Sequence, residues 1–136
     1  MVFLPEDHPE MIEAKRKAKE SLPEFKKLLE EENTKKENFA VKVEFPLDEG
    51  SEHIWVSELE LQGDIIKGKI SNHPNELEDL EYGSEVTVED DSITDWAYSE
   101  DGYFHGHYTT RVLIPHMNKR MKEQIFDVYG WRKEFN

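Results

Sequence analysis

Between Ile93 and Arg111 the chain concentrates an acid (Asp95), an indole (Trp96), phenols such as Tyr98 and Tyr108, two imidazoles (His105, His107), the hydroxyl of Thr109 and a guanidinium (Arg111). Three chemistries are open to such a group. Gathered on one surface, these side chains can stack on, donate to and accept from a ligand or a partner protein. His105 and His107 at strand spacing could chelate a transition metal if a third ligand such as His53 or His73 came near. Asp95 as a general base with Arg111 as an anion anchor would make an enzyme site together with His105 and His107. Nothing else in the chain supports the last two: there is no HExxH spacing, and neither Ser57 nor Ser92 lies in a Gly-x-Ser-x-Gly elbow. The expectation is therefore a contact surface, with no catalytic residue, resident metal or cofactor.

Positioning these groups falls to a hairpin turning at Asp101-Gly102. With an even-numbered loop, Thr94, Trp96 and Tyr98 share a face with His105, His107, Thr109 and Arg111. The opposite face carries Ile93, Asp95, Ala97, Phe104, Gly106, Tyr108 and Val112. That second face is the more apolar, so it is assigned to the core, with Asp95 pointing inward and satisfied by main-chain amides or the Tyr108 hydroxyl. The first face, with Trp96, Tyr98, His105, Thr109 and Arg111, becomes the predicted solvent-facing binding surface. A three-residue loop would reverse the assignment.

Around the hairpin the hydrophobic pattern predicts helix, strands, helix. Asp7-His8-Pro9-Glu10 has a capping acid at Asp7, proline in the first turn and Glu10 in capping-box position. Met11, Ala14, Ala18, Leu22, Phe25 and Leu29 follow at helical spacing. Pro23 implies two helices or one kinked near Ser21, ending around residue 32. The Lys/Arg-rich face from Lys15 to Lys27 reads as a solvated surface laced with glutamate pairs. Phe39, Val41, Val43 and Phe45 alternate as a strand. Residues 52–61 form a second strand, with room for a bulge, that turns at Gln62-Gly63-Asp64 into a third, Ile65-Ile66-Lys67-Gly68-Lys69-Ile70. Residues 71–83 read as a turn and an irregular or short helical stretch over one end of the sheet, and Glu85-Val86-Thr87-Val88 as another strand. Val112-Leu113-Ile114 would complete the hairpin strand before Pro115. Met117, Met121, Ile125 and Val128 predict a C-terminal helix at about 116–129 that Gly130 ends.

The chain has 136 residues and no cysteine. It is the length of one domain, 1–136, and offers neither disulfide nor thiolate chemistry. The formal charge is −14, and residues 37–111 hold 19 of the 31 acidic groups but only 4 of the 17 basic ones. Such a field repels phosphate backbones and anionic lipid and speeds encounter with a basic partner, so nucleic acid and membrane are not expected. The first residues lack a basic segment followed by an apolar one, and no run approaches the roughly 20 apolar residues that span a bilayer. A cytoplasmic protein, monomer or homodimer, is expected.

The blocks Phe39-Ala40-Val41-Lys42, Glu52-His53-Ile54-Trp55-Val56, Gly68-Lys69-Ile70-Ser71-Asn72-His73-Pro74, Gly83-Ser84-Glu85-Val86, Ile93-Thr94-Asp95-Trp96-Ala97-Tyr98 and Gly106-His107-Tyr108-Thr109-Thr110-Arg111 follow one another in an ordered series. In them the chain resembles the YegJ-like bacterial proteins, domain of unknown function 2314, over about residues 14–113. The positions that fit are Trp55, Asn72, Gly83, Asp95, Trp96, Gly106, Tyr108, Thr109 and Arg111. Departures stand at Ala97, where the family often has methionine, and at His107, where it often has glycine. The resemblance carries no biochemistry and implies, at most, a binding module rather than an enzyme.

The fold reading is α+β: an N-terminal helical segment and a C-terminal helix packed on a twisted antiparallel sheet or partial barrel. The functional reading is a non-catalytic bacterial binding or interaction module that meets an unknown protein or small molecule through the 93–111 hairpin face. Two alternatives stand beside it: an acidic immunity-type protein that neutralises a basic partner, and an enzyme or metal-binding protein with a site at Asp95, His105, His107 and Arg111.

Overall fold

The computed structural model describes residues 4–5, 7–31 and 35–128. Helix α1 (Pro9–Glu30) leads into β1 (Lys36–Pro46), β2 (Ser51–Gln62), β3 (Ile65–Ile70) and β4 (Glu85–Val88). A short 3-10 turn, Asp90–Ser92, precedes β5 (Ile93–Glu100) and β6 (Tyr103–Gly106); helix α2 (Tyr108–Leu113), a second 3-10 turn and α3 (Lys119–Val128) follow. The strands form one antiparallel six-stranded sheet in the order β4-β3-β2-β1-β5-β6, so the architecture is α+β with an open sheet rather than a closed barrel.

Helix α1 lies along one face of the sheet because its stripe Met11, Ala14, Ala18, Leu22 and Phe25 is buried, at the spacing that keeps one side of a helix turned inward. Its cap is His8 rather than Asp7: the His8 Nδ1 accepts the Glu10 amide at 3.1 Å. One helix runs through Pro23 where two or a break near Ser21 were expected. Leu22 and Phe25 on either side of Pro23 are both buried, and their packing outweighs the roughly 3 kcal/mol that an interior proline costs. Arg16 pairs with Glu13 and Glu20 on the outer face, as a solvated helix surface would. Lys26 instead turns inward, and its ammonium reaches the Asp64 carbonyl (2.8 Å) and the Asp90 carboxylate (2.7 Å), tying α1 to the β2–β3 turn and to the turn before β5. Burial works against its charge, yet the two acids outweigh that and hold the Lys26 ammonium above the ordinary lysine range.

Under α1 the core draws on Val41 and Val43 of β1, Ile54 and Val56 of β2, Ile66 and Ile70 of β3, Val88 of β4, and Ile93, Trp96 and Tyr98 of β5. The β2–β3 hairpin carries the anticipated bulge, with a register shift between Ser57 and Glu60 and a left-handed Glu58 (φ 50°). Residues 71–84 contain no helix. Glu52 holds that segment by accepting the amides of Asn75, Glu76 and Leu77 at 2.7–3.2 Å, which keeps its carboxyl below the usual range. Among the described residues no helix is long and apolar enough to cross a membrane. The predicted end of the C-terminal helix at Gly130 lies outside the described residues.

Candidate functional site

The predicted two-residue turn forms: Asp101 and Gly102 both take left-handed angles (φ 54° and 81°), and Tyr98 pairs with His105 across the hairpin. Beyond it the expected strand does not continue. Gly106 (φ 78°) and His107 (φ 52°) are both left-handed, and Tyr108 to Leu113 is helix α2 where a strand was read. A Cβ on Gly106 would fall 2.2 Å from the Trp96 carbonyl oxygen, so only glycine fits at this bend.

The bend divides the two histidines. His105 stays on the α1 side, stacked on Tyr98 at 4.7 Å, whereas the His107 ring crosses to the other face and lies 5.0 Å from Trp55 and 5.1 Å from Phe104. They therefore do not share a side, and the two-imidazole chelate fails. Among the described residues no group of three His, Cys, Asp or Glu side chains is placed to hold a metal ion.

The predicted exposure of the hairpin face is also corrected. Trp96 and Tyr98 are each only 7% exposed and point into the core beneath α1. Trp96 stacks on Phe25 at 5.0 Å and donates its indole N–H to the Ser21 hydroxyl at 2.9 Å, and Tyr98 stacks on Phe39 at 5.5 Å. Thr109 is buried, and of the predicted surface only His105 and Arg111 remain partly open. Both faces of β5 are buried, and the one that carries the indole and the phenol packs beneath α1, where those rings bury more area than Ala97 or Gly106 would. Arg111, its guanidinium 5.9 Å from the Tyr108 ring centroid, lines a groove of about 540 Å³ between α1 and α2 with Pro9, Ala14, Lys17 and Val112.

Asp95 does point inward, and main-chain amides satisfy it, as expected. One carboxylate oxygen accepts the amides of Trp96 (2.9 Å) and Tyr108 (3.0 Å); the other accepts the amide (2.9 Å) and the hydroxyl (2.6 Å) of Thr109. The Lys42 ammonium donates to that same hydroxyl at 3.2 Å, giving a relay from Lys42 through Thr109 to Asp95. Burial holds the Asp95 carboxyl above its ordinary range, and the Thr109 and Trp96 donors and the Lys42 charge offset only part of that push. A proton added to this carboxyl would have to displace one of four donors, so the site is built for the anion. With its acceptor directions filled by the protein, Asp95 has none left to take a proton from a substrate. It is a bracket that holds the first turn of α2 against β5.

On the face of the sheet opposite α1, the register sets Trp55, Lys42 and Asp95 side by side across β2, β1 and β5. The next row is made of small residues, Ser57, Ala40, Ala97 and Gly106. Phe104, opposite Ser99, begins the row beyond. The imidazole of His107, set between Trp55 and Phe104, thus lies over the small row. Ala97 and His107, the two departures from the resembled family, fall on this one face, and the left-handed angle at His107 is one that glycine adopts without strain. Burial, then the Arg111 and Lys42 charges, depress the His107 pKa to about 3, so the ring is neutral at physiological pH. The first turn of α2 reaches this face at Asp95. Trp55, Phe104, His107 and Lys42 are half-buried there.

Sequence reasoning missed Lys42 and Ser21 and noted Trp55 only as a position that fits the resembled family. Lys42 sits on the polar side of a cleanly alternating strand, and only the pairing with Asp95 and Trp55 distinguishes it from any solvated lysine. Asn72 and Gly83 are structural: the Asn72 side chain accepts the Trp55 amide at 2.7 Å, and Gly83 turns with φ 85°.

The sequence profile of the family described as "Uncharacterized protein conserved in bacteria (DUF2314)" matches residues 8–131, a longer stretch than the 14–113 of the resemblance. The uncharacterized protein YegJ of Escherichia coli K12 is 25% identical over 119 residues, covering 88% of this chain and 76% of its own length. A candidate ankyrin repeat protein of Neisseria meningitidis serogroup B is 32% identical over 79 residues, 58% of this chain; the match spans 31% of that relative's length. No solved structure matches.

Proposed function

The chain belongs to the bacterial DUF2314 family, and from that premise we propose that it is a non-catalytic cytoplasmic binding module whose partner meets the sheet face opposite α1. The contact surface in this reading is Trp55, His107 and Phe104 with Lys42 beside them; His105, on the α1 side, and Arg111, in the groove between α1 and α2, lie outside it. One observation carries it: three half-buried rings lie in contact in a row on a face that α1 does not cover, Trp55 tilted at 52° to His107 and Phe104 edge-on to it at 74°. Aromatic groups held rigid in this way give contact area at little entropic cost, which is what anchors of recognition surfaces supply. The filled Asp95 carboxylate speaks for binding over acid-base chemistry. Trp96, Tyr98 and Thr109, first read as contacts, position the surface from beneath.

A photocrosslinking amino acid placed at His53, beside Trp55 on β2, tests this in living bacterial cells. Crosslinks of discrete mass are expected from His53 that are absent when the probe stands at Glu24 on the outer side of α1, and that are lost on Trp55→Ala in a protein that still folds. The same pattern from both probe positions, or crosslinks indifferent to Trp55→Ala, would contradict the proposal.

A further inference from the structure

We propose that the free edge of β4 is a second docking site, one that adds an extended segment in which lysine or arginine alternates with apolar residues. Among the described residues β4 is the terminal strand of the sheet, with β3 as its neighbour on one side only. The Ile70 amide bonds the Ser84 carbonyl at 2.9 Å, and the pairs continue through Gly68 with Val86 and Ile66 with Val88. Hydrogen-bonded pairs alternate along an antiparallel ladder, so the N–H and C=O groups of Glu85 and Thr87 turn to the open side. Those two residues supply the backbone positions that an incoming antiparallel strand needs.

Side chains around this edge define the occupant. Val86 and Val88 face the α1 side, where an added strand would set apolar residues. Glu85 and Thr87 face the other side, across from Lys69 and Lys67 of β3, and the exposed Glu81, Glu85 and Glu89 leave the outer rim of β4 acidic. Tyr82, 60% exposed, stands just before β4, and Ile65, 51% exposed, stands at its far end beside Ile66, the partner of Val88. Two large apolar side chains thus flank an acidic edge, which favours basic groups on one side of the incoming strand and apolar contacts at its ends. A second copy of this chain would bring its own Glu81, Glu85 and Glu89 to the same edge, where like charges repel. The site is independent of the Trp55 face.

The test is a titration of the whole protein with a short capped peptide of alternating lysine and valine, followed by NMR and amide hydrogen exchange. Binding is expected to slow exchange at Glu85 and Thr87 and to weaken steeply with added salt. Glu85→Lys should weaken it about tenfold, and Thr87→Pro should do the same by removing an outward N–H that the β3 ladder does not use. The peptide with glutamate for lysine should not bind. No binding, equal binding of the acidic peptide, protection elsewhere, or self-association through β4 in the peptide's absence would each overturn the proposal. Because Glu85→Lys leaves every backbone donor in place, misfolding of Thr87→Pro would not rescue it.

Discussion

Asp95→Asn is expected to cost the fold about 3 kcal/mol in urea unfolding at neutral pH, among the largest effects of any isosteric change in the chain. The carboxylate accepts two amides on one oxygen and an amide and a hydroxyl on the other. An asparagine can present only one acceptor oxygen. Its amide nitrogen would face either the Tyr108 and Trp96 N–H groups or the Thr109 N–H, and a buried donor left without an acceptor costs about 1–3 kcal/mol. The charge-assisted part of every bond is lost as well. Thr109→Val should cost less, about 1–2 kcal/mol, because it removes one donor and leaves both oxygens. Equal costs, or an Asp95→Asn loss below about 0.5 kcal/mol, would show that the bracket between β5 and α2 does not hold the fold.

The second large effect is a change in acid stability at His107. In the folded protein this imidazole stays neutral down to a pKa of about 3, whereas in the unfolded chain it takes a proton near the ordinary histidine value of 6.5. Between those values the unfolded state binds more protons, so stability is fully present above about pH 6.5 and is lost progressively as pH falls toward 3. By pH 4.5, the lowest pH compared, the loss attributable to this residue is of the order of 3 kcal/mol. His107→Gly removes the titrating group and relieves a left-handed angle (φ 52°), at the cost of contacts with Trp55 and Phe104. At pH 7 the two proteins should differ by about 1 kcal/mol or less, with the gain in backbone freedom and the loss of packing opposed. Unfolding midpoints at pH 7, 5.5 and 4.5 would separate this from the general acid response, since all other groups titrate in both proteins. The variant should gain on the parent as pH falls; parallel curves would mean that the ring is not held neutral in the folded state.

What the sequence made legible was set by local pattern. The strand from Lys36 to Pro46, the β2–β3 hairpin with its bulge, the turn at Asp101-Gly102 and the inward Asp95 all follow from alternation, turn chemistry and the cost of a lone buried carboxylate. The site was misread where tertiary packing decides. Both faces of β5 are buried, one under α1 and the other beneath α2 and neighbouring groups, so no choice between the faces could have been right. The break at Gly106 was visible as a glycine, but the left-handed His107 after it was not, and two such angles in succession turn a strand into the start of a helix. That single bend sends His105 and His107 to opposite faces and sets Thr109 on Asp95, while α1 covers Trp96 and Tyr98 and makes supports of them.

The positions of Trp55 and Trp96, two of the three tryptophans of the chain, test the account most directly. With 5-fluorotryptophan incorporated and resonances assigned by Trp55→Phe and Trp96→Phe, the fluorine signal of Trp96 should be insensitive to exchange of water for deuterium oxide. That of Trp55 should shift. A solvent-sensitive Trp96 beside a silent Trp55 would restore the hairpin face as the open surface and contradict the assignment of recognition to the face opposite α1.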